Sequence, residues 1–338
     1  MSSAIQTIEL SRLEQLRTLR QLFAHPAGVS TTALAALAAH VRSLRIPAGT
    51  PLSEPDKPVS TVYLIMEGEL ASEYNDKIVY KFGRYEGLGM LPALARKHSG
   101  FRAWATQDTV ALSWRVEDML EVFEDHFELL YAVLRGLAQN AIELRRQLRP
   151  HAGFSNDIRS NRPCGSGAQH LDLVERILCL RQTFGLESSH IDELAELARA
   201  ADEVRLPAGH RLWSSGDNSD AILIILRGTL LGRSLDGVEF RLGPGDIAGG
   251  LGTISELPRW YDATVAEPIL GLTLSREVLV DLLEDQPDLG FDFLHLLAAM
   301  LLDLRLRVAV QRDSQGEIGP LSLSGGKFSS SGPETTAP

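Results

Sequence analysis

Arg45-Ile46-Pro47-Ala48-Gly49 returns 160 residues later as Arg205-Leu206-Pro207-Ala208-Gly209. A repeat at fixed spacing limits the fold more than any other feature here, because one structural unit must then occur twice. The same offset holds without a gap over about a hundred residues. Leu34, Ala35, Leu37 and Ala38 fall on Leu194, Ala195, Leu197 and Ala198, and Ile65-Met66-Glu67-Gly68-Glu69-Leu70 falls on Ile225-Leu226-Arg227-Gly228-Thr229-Leu230. Gly83 and Gly89 fall on Gly243 and Gly249, and Leu134, Leu137 and Leu144 on Leu294, Leu297 and Leu304.

Each copy carries the same succession of signals. An amphipathic entry helix (Leu13, Leu16, Leu19, Phe23; then Val174, Ile177, Leu180, Phe184) precedes a short alanine-rich helix. Brief apolar runs broken by Gly and Pro follow, such as Val62–Met66 and Ala221–Leu226, which read as buried strands closed at turn glycines. Pro47-Ala48-Gly49 and its counterpart suit a tight turn, since Pro presets φ and Gly tolerates the end of the turn. Many short strands with regular turns indicate a β-roll or sandwich. The expected fold class is α+β: two tandem jelly-roll-like β-rolls, each flanked by an N-terminal helix and a long C-terminal helix.

The long helices hold the clearest periodicity. Phe127, Leu130, Leu134, Leu137, Ala141, Leu144 and Leu148 alternate steps of three and four, as do Leu294, Leu297, Leu301, Leu304 and Val308. Leu130, Leu134, Leu137, Leu144, Leu294, Leu297, Leu301 and Leu304 are therefore the candidate helix-pairing positions, within one chain or in a homodimer. The stretch from Arg149 is rich in Gly, Ser, Asn and Pro, and so is the end of the chain. The expected layout is a first domain at 1–148, a linker at 149–169, a second domain at 170–310 and a disordered tail at 311–338.

Composition removes several functions. Runs such as Ile222–Leu226 are far too short to span a bilayer, and Met1-Ser2-Ser3-Ala4 leads into charged sequence without a secretory signal. Two cysteines, Cys164 and Cys179, form no disulfide framework and fit a reducing, cytoplasmic setting. The net charge of −11 and the absence of a helix-turn-helix after Val308 argue against DNA as a partner. Arg145-Arg146-Gln147-Leu148-Arg149 is the best basic patch, and the end of a helix favours such charges without any ligand. No metal-ligand spacing, nucleophile elbow or phosphate loop occurs, so no metal and no enzyme is expected.

The order of elements, with Arg205–Gly209, Ser215-Gly216-Asp217, Gly228 and Gly245-Asp246-Ile247 in the second copy, resembles the cyclic-nucleotide-binding domain family. That family includes the catabolite activator protein and the regulatory subunit of protein kinase A. The first copy keeps Pro47-Ala48-Gly49, Ile65 and Gly68. The resemblance implies a cyclic-nucleotide-binding-type fold for both copies and a phosphate pocket on a short helix opened by Gly-Glu-Leu-Ala, followed by an Arg. A helix N-terminus offers free N–H groups to phosphate, the Arg adds a donor fork, and the Glu accepts from the ribose hydroxyl.

Aligned this way, the second-copy site comprises Gly249, Gly250, Leu251, Arg259 and Trp260, with Gly250 in place of the carboxylate and Trp260 in place of a small residue. In the first copy Gly89, Met90, Pro92 and Ser99 occupy the positions; Met90 replaces the Glu and Ser99 the Arg. A hydrogen bond to a charged group contributes about 1.5–3 kcal/mol, or roughly ten- to a hundredfold in affinity. The first pocket is therefore degenerate, and a cyclic nucleotide is not the favoured ligand of the second. No cofactor is expected. The implied function is a non-enzymatic regulatory or adaptor protein working through protein–protein contacts, modulated by a small anion in the second domain. The alternatives are a cyclic AMP or cyclic GMP sensor acting through that domain, and a static scaffold without ligand.

Overall fold

The computed structural model describes residues 5–22, 28–54, 57–74, 78–96, 100–147, 170–314 and 321–322. They divide into two compact units, one running to Val133 and resuming at Arg312, the other Leu134–Gln311. Both mix helices with antiparallel sheet.

In the first unit β1 (Gln6–Thr7), α1 (Arg12–Leu22) and α2 (Thr31–Ala39) lead into β2 (Arg42–Ile46), β3 (Pro51–Ser53), β4 (Thr61–Glu67), β5 (Leu70–Tyr74) and β6 (Ile78–Phe82). Then come β7 (Gly87–Leu88), α3 (Met90–Leu94), β8 (Phe101–Ala105), β9 (Thr109–Arg115), α4 (Val116–Asp125) and α5 (Phe127–Gln147). One sheet runs β1-β2-β9-β4-β7 and a second contains β6-β5-β8-β3. Val62, Tyr63, Leu64 and Ile65 of β4 are all buried, as an unbroken apolar run demands. Ser30 caps α2 by accepting from Ala33 N.

The second unit contains α6 (Leu173–Leu180), α7 (Ile191–Ala200), β10 (Asp202–Leu206), β11 (Arg211–Trp213), β12 (Ala221–Ser234), β13 (Glu239–Leu242) and β14 (Ile247–Ala248). It closes with α8 (Gly250–Ser255), β15 (Tyr261–Ser275), α9 (Arg276–Asp285) and α10 (Pro287–Ser314). Its sheet runs β10-β15-β12-β13, with β11 also on β15 and β14 on β12. β12 and β15 pair from Ala221↔Ser275 to Ser234↔Tyr261, with register shifts around Arg227 and Thr229. Trp213, Leu223, Ile225, Leu230, Phe240 and Tyr261 belong to the buried cluster inside this sheet.

Residues 160 apart keep their local geometry. Gly49 N donates to Ala105 O at 2.7 Å and Gly209 N to Val265 O at 2.8 Å. Gly68 and Gly228 have φ of 89° and 85°, and a Cβ there would meet the carbonyl oxygens of Asp108 and Pro268 at 2.4 and 2.2 Å. Only a residue without Cβ fits so close a crossing.

The structure adds detail to the expected layout. The units part inside α5, ahead of position 148, because residues 134–147 pack with the second unit. The tail placed at 311–338 begins as helix, α10 reaching Ser314, and Leu321–Ser322 form β16, which pairs in parallel with β6. Cys179 is buried; Cys164 and all of 149–169 lie outside the described residues. Leu130, Leu134, Leu137, Leu294, Leu297, Leu301 and Leu304 are buried and Leu144 is half-buried, while Leu148 lies outside the described residues. Among the described residues no helix is long and apolar enough to cross a membrane.

Gly228→Ala forces both a strained φ and a collision with Pro268 O, so we expect a loss of about 2–4 kcal/mol. Thermal unfolding should show a clear drop, and an unchanged melting profile would contradict the close crossing.

Candidate functional site

The short strand β14 is followed by Gly249, whose left-handed backbone (φ 80°) turns the chain into α8. The same turn occurs at Gly89 (φ 92°) before α3. Gly249 N donates to Tyr261 Oη at 3.1 Å, and Thr253 N returns to Gly249 O at 3.1 Å. Thr253 Oγ1 donates to Ala221 O at 2.9 Å, tying the helix to the first residue of β12.

Arg259 reaches back into this cassette and is only 6% exposed. Nη1 donates to Gly249 O at 3.2 Å and to Thr253 Oγ1 at 3.5 Å, while Nη2 donates to Ala221 O at 2.6 Å. Its guanidinium carbon lies 4.0 Å from the Trp213 ring centroid, a cation–π placement. The main chain is pinned as well, Arg259 N donating to Asp217 O and its O accepting from Gly216 N, both at 2.8 Å. A Cβ on Gly249 would stand 2.2 Å from Nη1, so this glycine is what lets the guanidinium sit there. Burial lowers the Arg259 pKa, while Tyr261, Asp220 and Asp217 pull it back. No carboxylate pairs with it among the described residues; carbonyl dipoles and an aromatic face hold the charge.

The sequence placed Arg259 beside Trp260 and Tyr261. The ring that carries its guanidinium is Trp213, and Trp260 instead stacks on Phe240 (5.6 Å, 12°) and meets Tyr261 edge-on at 4.6 Å. Tyr261 is buried, and burial pushes its phenol up to about 12. Gly250 and Leu251 are half-buried at the head of α8. The nearest atom to a Cβ on Gly250 would be Ile247 Cγ2 at 3.5 Å, so a side chain fits there. In the first unit Met90 is half-buried and Pro92 buried, while Ser99 lies outside the described residues. Arg102, a neighbouring cation, pairs with Glu73 at 3.3 Å.

Contacts invisible in the sequence come from α5, through residues that belong to the second unit. Arg135 Nη1 lies 3.6 Å from Glu256 Oε1, and Gln139 Nε2 donates to Ser255 O at 3.3 Å. Arg145, readable as a helix-end charge, stands over the Trp260 ring at 5.5 Å and donates from Nη2 to Met300 Sδ at 3.4 Å. Burial draws the Arg145 pKa down to about 10. These three side chains grip the segment 255–260 that links α8 to β15.

Residues 203–286 match the family model of the cyclic nucleotide-binding domain. A curated relative, the CRP-like cAMP-activated global transcriptional regulator of Mycobacterium tuberculosis, is 31% identical over 122 residues, which is 35% of this chain and 53% of the relative. The chain thus spans about half the length of the curated relatives it matches. Among solved structures, the regulatory domain of Toxoplasma gondii PKA with cAMP is 16% identical, with 82% of this chain and 96% of that one covered at a TM-score of 0.31. A cyclic nucleotide-binding-like protein from Brucella abortus is 28% identical over 32% of this chain and 98% of its own, with a TM-score of 0.29. Residues 203–286, which carry Arg259 and its cassette, are thus the part of the chain that is similar to the cyclic nucleotide-binding domain.

Proposed function

We propose that the chain is a non-enzymatic regulatory or adaptor protein built from two tandem cyclic-nucleotide-binding-like domains, the second answering to a small anion. The observation that carries this reading is Arg259: a buried cation at the head of α8, held by Gly249 O and Ala221 O with no carboxylate partner among the described residues. A buried charge met by dipoles and a ring, with Asp217 and Asp220 acting only at longer range, is costly, and an arriving anion would be stabilised there. The first copy, with Met90 and Pro92 in its cassette, serves as scaffold. Output runs through protein contacts, with the long helices α5 and α10 as the pairing surface within the chain or in a homodimer. Any shift of α8 on ligand binding would pull on Arg135, Gln139 and Arg145 of α5, the helix that begins in the first unit.

A cAMP sensor is the second reading, favoured by the cAMP-activated name of the mycobacterial relative. Gly250 speaks against it, since no side chain there can accept from a ribose hydroxyl.

Calorimetric titration of the full chain with cAMP, cGMP and inorganic phosphate tests both. We expect weak, Arg259-dependent anion binding with little selectivity between the nucleotides. Micromolar, cAMP-selective binding would replace this reading with the sensor, and no response to any of the three would leave a static scaffold. Gly250→Glu should fold as well as the parent, because the site has room and the first helical turn favours an acid. It should tighten cAMP binding about ten- to a hundredfold. Arg145→Ala should raise amide exchange across residues 255–260 about tenfold if α5 restrains the cassette. Unaltered exchange would remove α5 from the regulatory path.

A further inference from the structure

Buried polar side chains nearly always find partners, and exceptions call for a cause. Among the described residues, Trp213 Nε1, Ser219 Oγ and Arg259 Nε are buried with no hydrogen-bond partner supplied by the chain. All three residues are more than nine-tenths buried, at 8%, 4% and 6% exposure. Two of them are neighbours, Arg259 and Trp213. Arg259 lies over the Trp213 ring at 4.0 Å, and both stand in the wall of one cavity of about 460 Å³. Ser219 sits between Asn218 and Asp220, which line the same cavity, and its Oγ would lie 2.5 Å from a Cβ on Gly252 of α8.

Val204, Leu206, Leu212, Ile222 and Leu223 give the wall its hydrocarbon, beside the polar Asn218 and Thr273. A volume of this size suits a small organic molecule, and an apolar wall with a few converging donors is how such sites select ligands. The Nη groups of Arg259 are already taken by Gly249 O, Thr253 Oγ1 and Ala221 O. That leaves its Nε–H and the Trp213 indole N–H as the two donors without a protein partner, one on each member of the stacked pair. Asp217 and Asp220 line the same cavity and are exposed, and their charge disfavours a doubly charged phosphate more than a monoanion. On the other side the aromatic cluster of Phe240, Trp260 and Tyr261 packs against itself.

We infer that this cavity binds a small monocarboxylate with an apolar body, its carboxylate on Arg259 and Trp213 and its hydrocarbon against β10, β11 and the start of β12. The inference rests on the reading of Arg259 as an anion site and narrows it to one ligand class and one side of the guanidinium.

The test titrates the full chain by calorimetry with phenylacetate, hexanoate and inorganic phosphate, with thermal shift in parallel. Phenylacetate or hexanoate should bind and raise the melting temperature. Arg259→Gln should weaken that binding about ten- to a hundredfold, and Trp213→Phe, which keeps a ring and removes the N–H, about tenfold. Val204→Phe fills part of the cavity from β10 while keeping Arg259 and Trp213, so it should abolish carboxylate binding. If Arg259→Gln fails to fold, the Val204→Phe variant still decides the matter. Arg259-dependent phosphate binding without carboxylate binding would overturn the inference and leave the anion site standing. Carboxylate binding undiminished in Val204→Phe would overturn it as well. Silence from every anion would overturn both.

Discussion

A guanidinium taken out of water must be met by something that replaces its hydration, and in this protein that requirement organises the second unit. Gly249 O, Ala221 O, Thr253 Oγ1 and the face of Trp213 converge on Arg259 from β14, β12, α8 and β11. Each of those elements is thereby held in register with the others. The glycine at 249 is part of the same constraint, since any side chain there would occupy the space of Nη1. In a buried setting such hydrogen bonds are worth more than on the surface, and removing one partner leaves the rest unanswered.

The two copies show how one scaffold supports unequal sites. Gly89 and Gly249 share a left-handed turn, yet a Cβ at Gly89 would meet Thr61 O at 2.8 Å while at Gly249 it would first meet Arg259. The geometry of the turn is set by the strands; what stands opposite the turn is free to differ. In the first unit Pro92 is buried within the equivalent helix and leaves it one N–H fewer to offer an anion.

Much of this was readable beforehand. The glycines at 49, 68 and 89 and their counterparts mark positions where backbone conformation dictates residue type, so the repeat carried the turns and strand runs directly. Arg259 was recognisable because its place follows a helix opened by glycine. Trp213 was not, because its pairing with Arg259 arises from strands β11 and β15 lying side by side, and no local pattern records that. The stacking of Trp260 is hidden for the same reason, since its partner Phe240 comes from β13. Arg145 looked like a helix-end charge because a sequence shows the helix it ends and not the ring above it. The extent of α10 was masked by the polar composition beyond Gln311.

Helix α5 is continuous from Phe127 to Gln147, yet the compact units part between Val133 and Leu134. The division between the compact units therefore falls inside a helix, ahead of the end of the first sequence copy. A protease cleaving after residue 148 would release a C-terminal fragment stripped of Arg135, Gln139 and Arg145, with the 255–260 segment deprived of its clasp. Dissecting the chain along its repeat would yield a second half that retains every residue of its own copy and still lacks a wall of its own architecture.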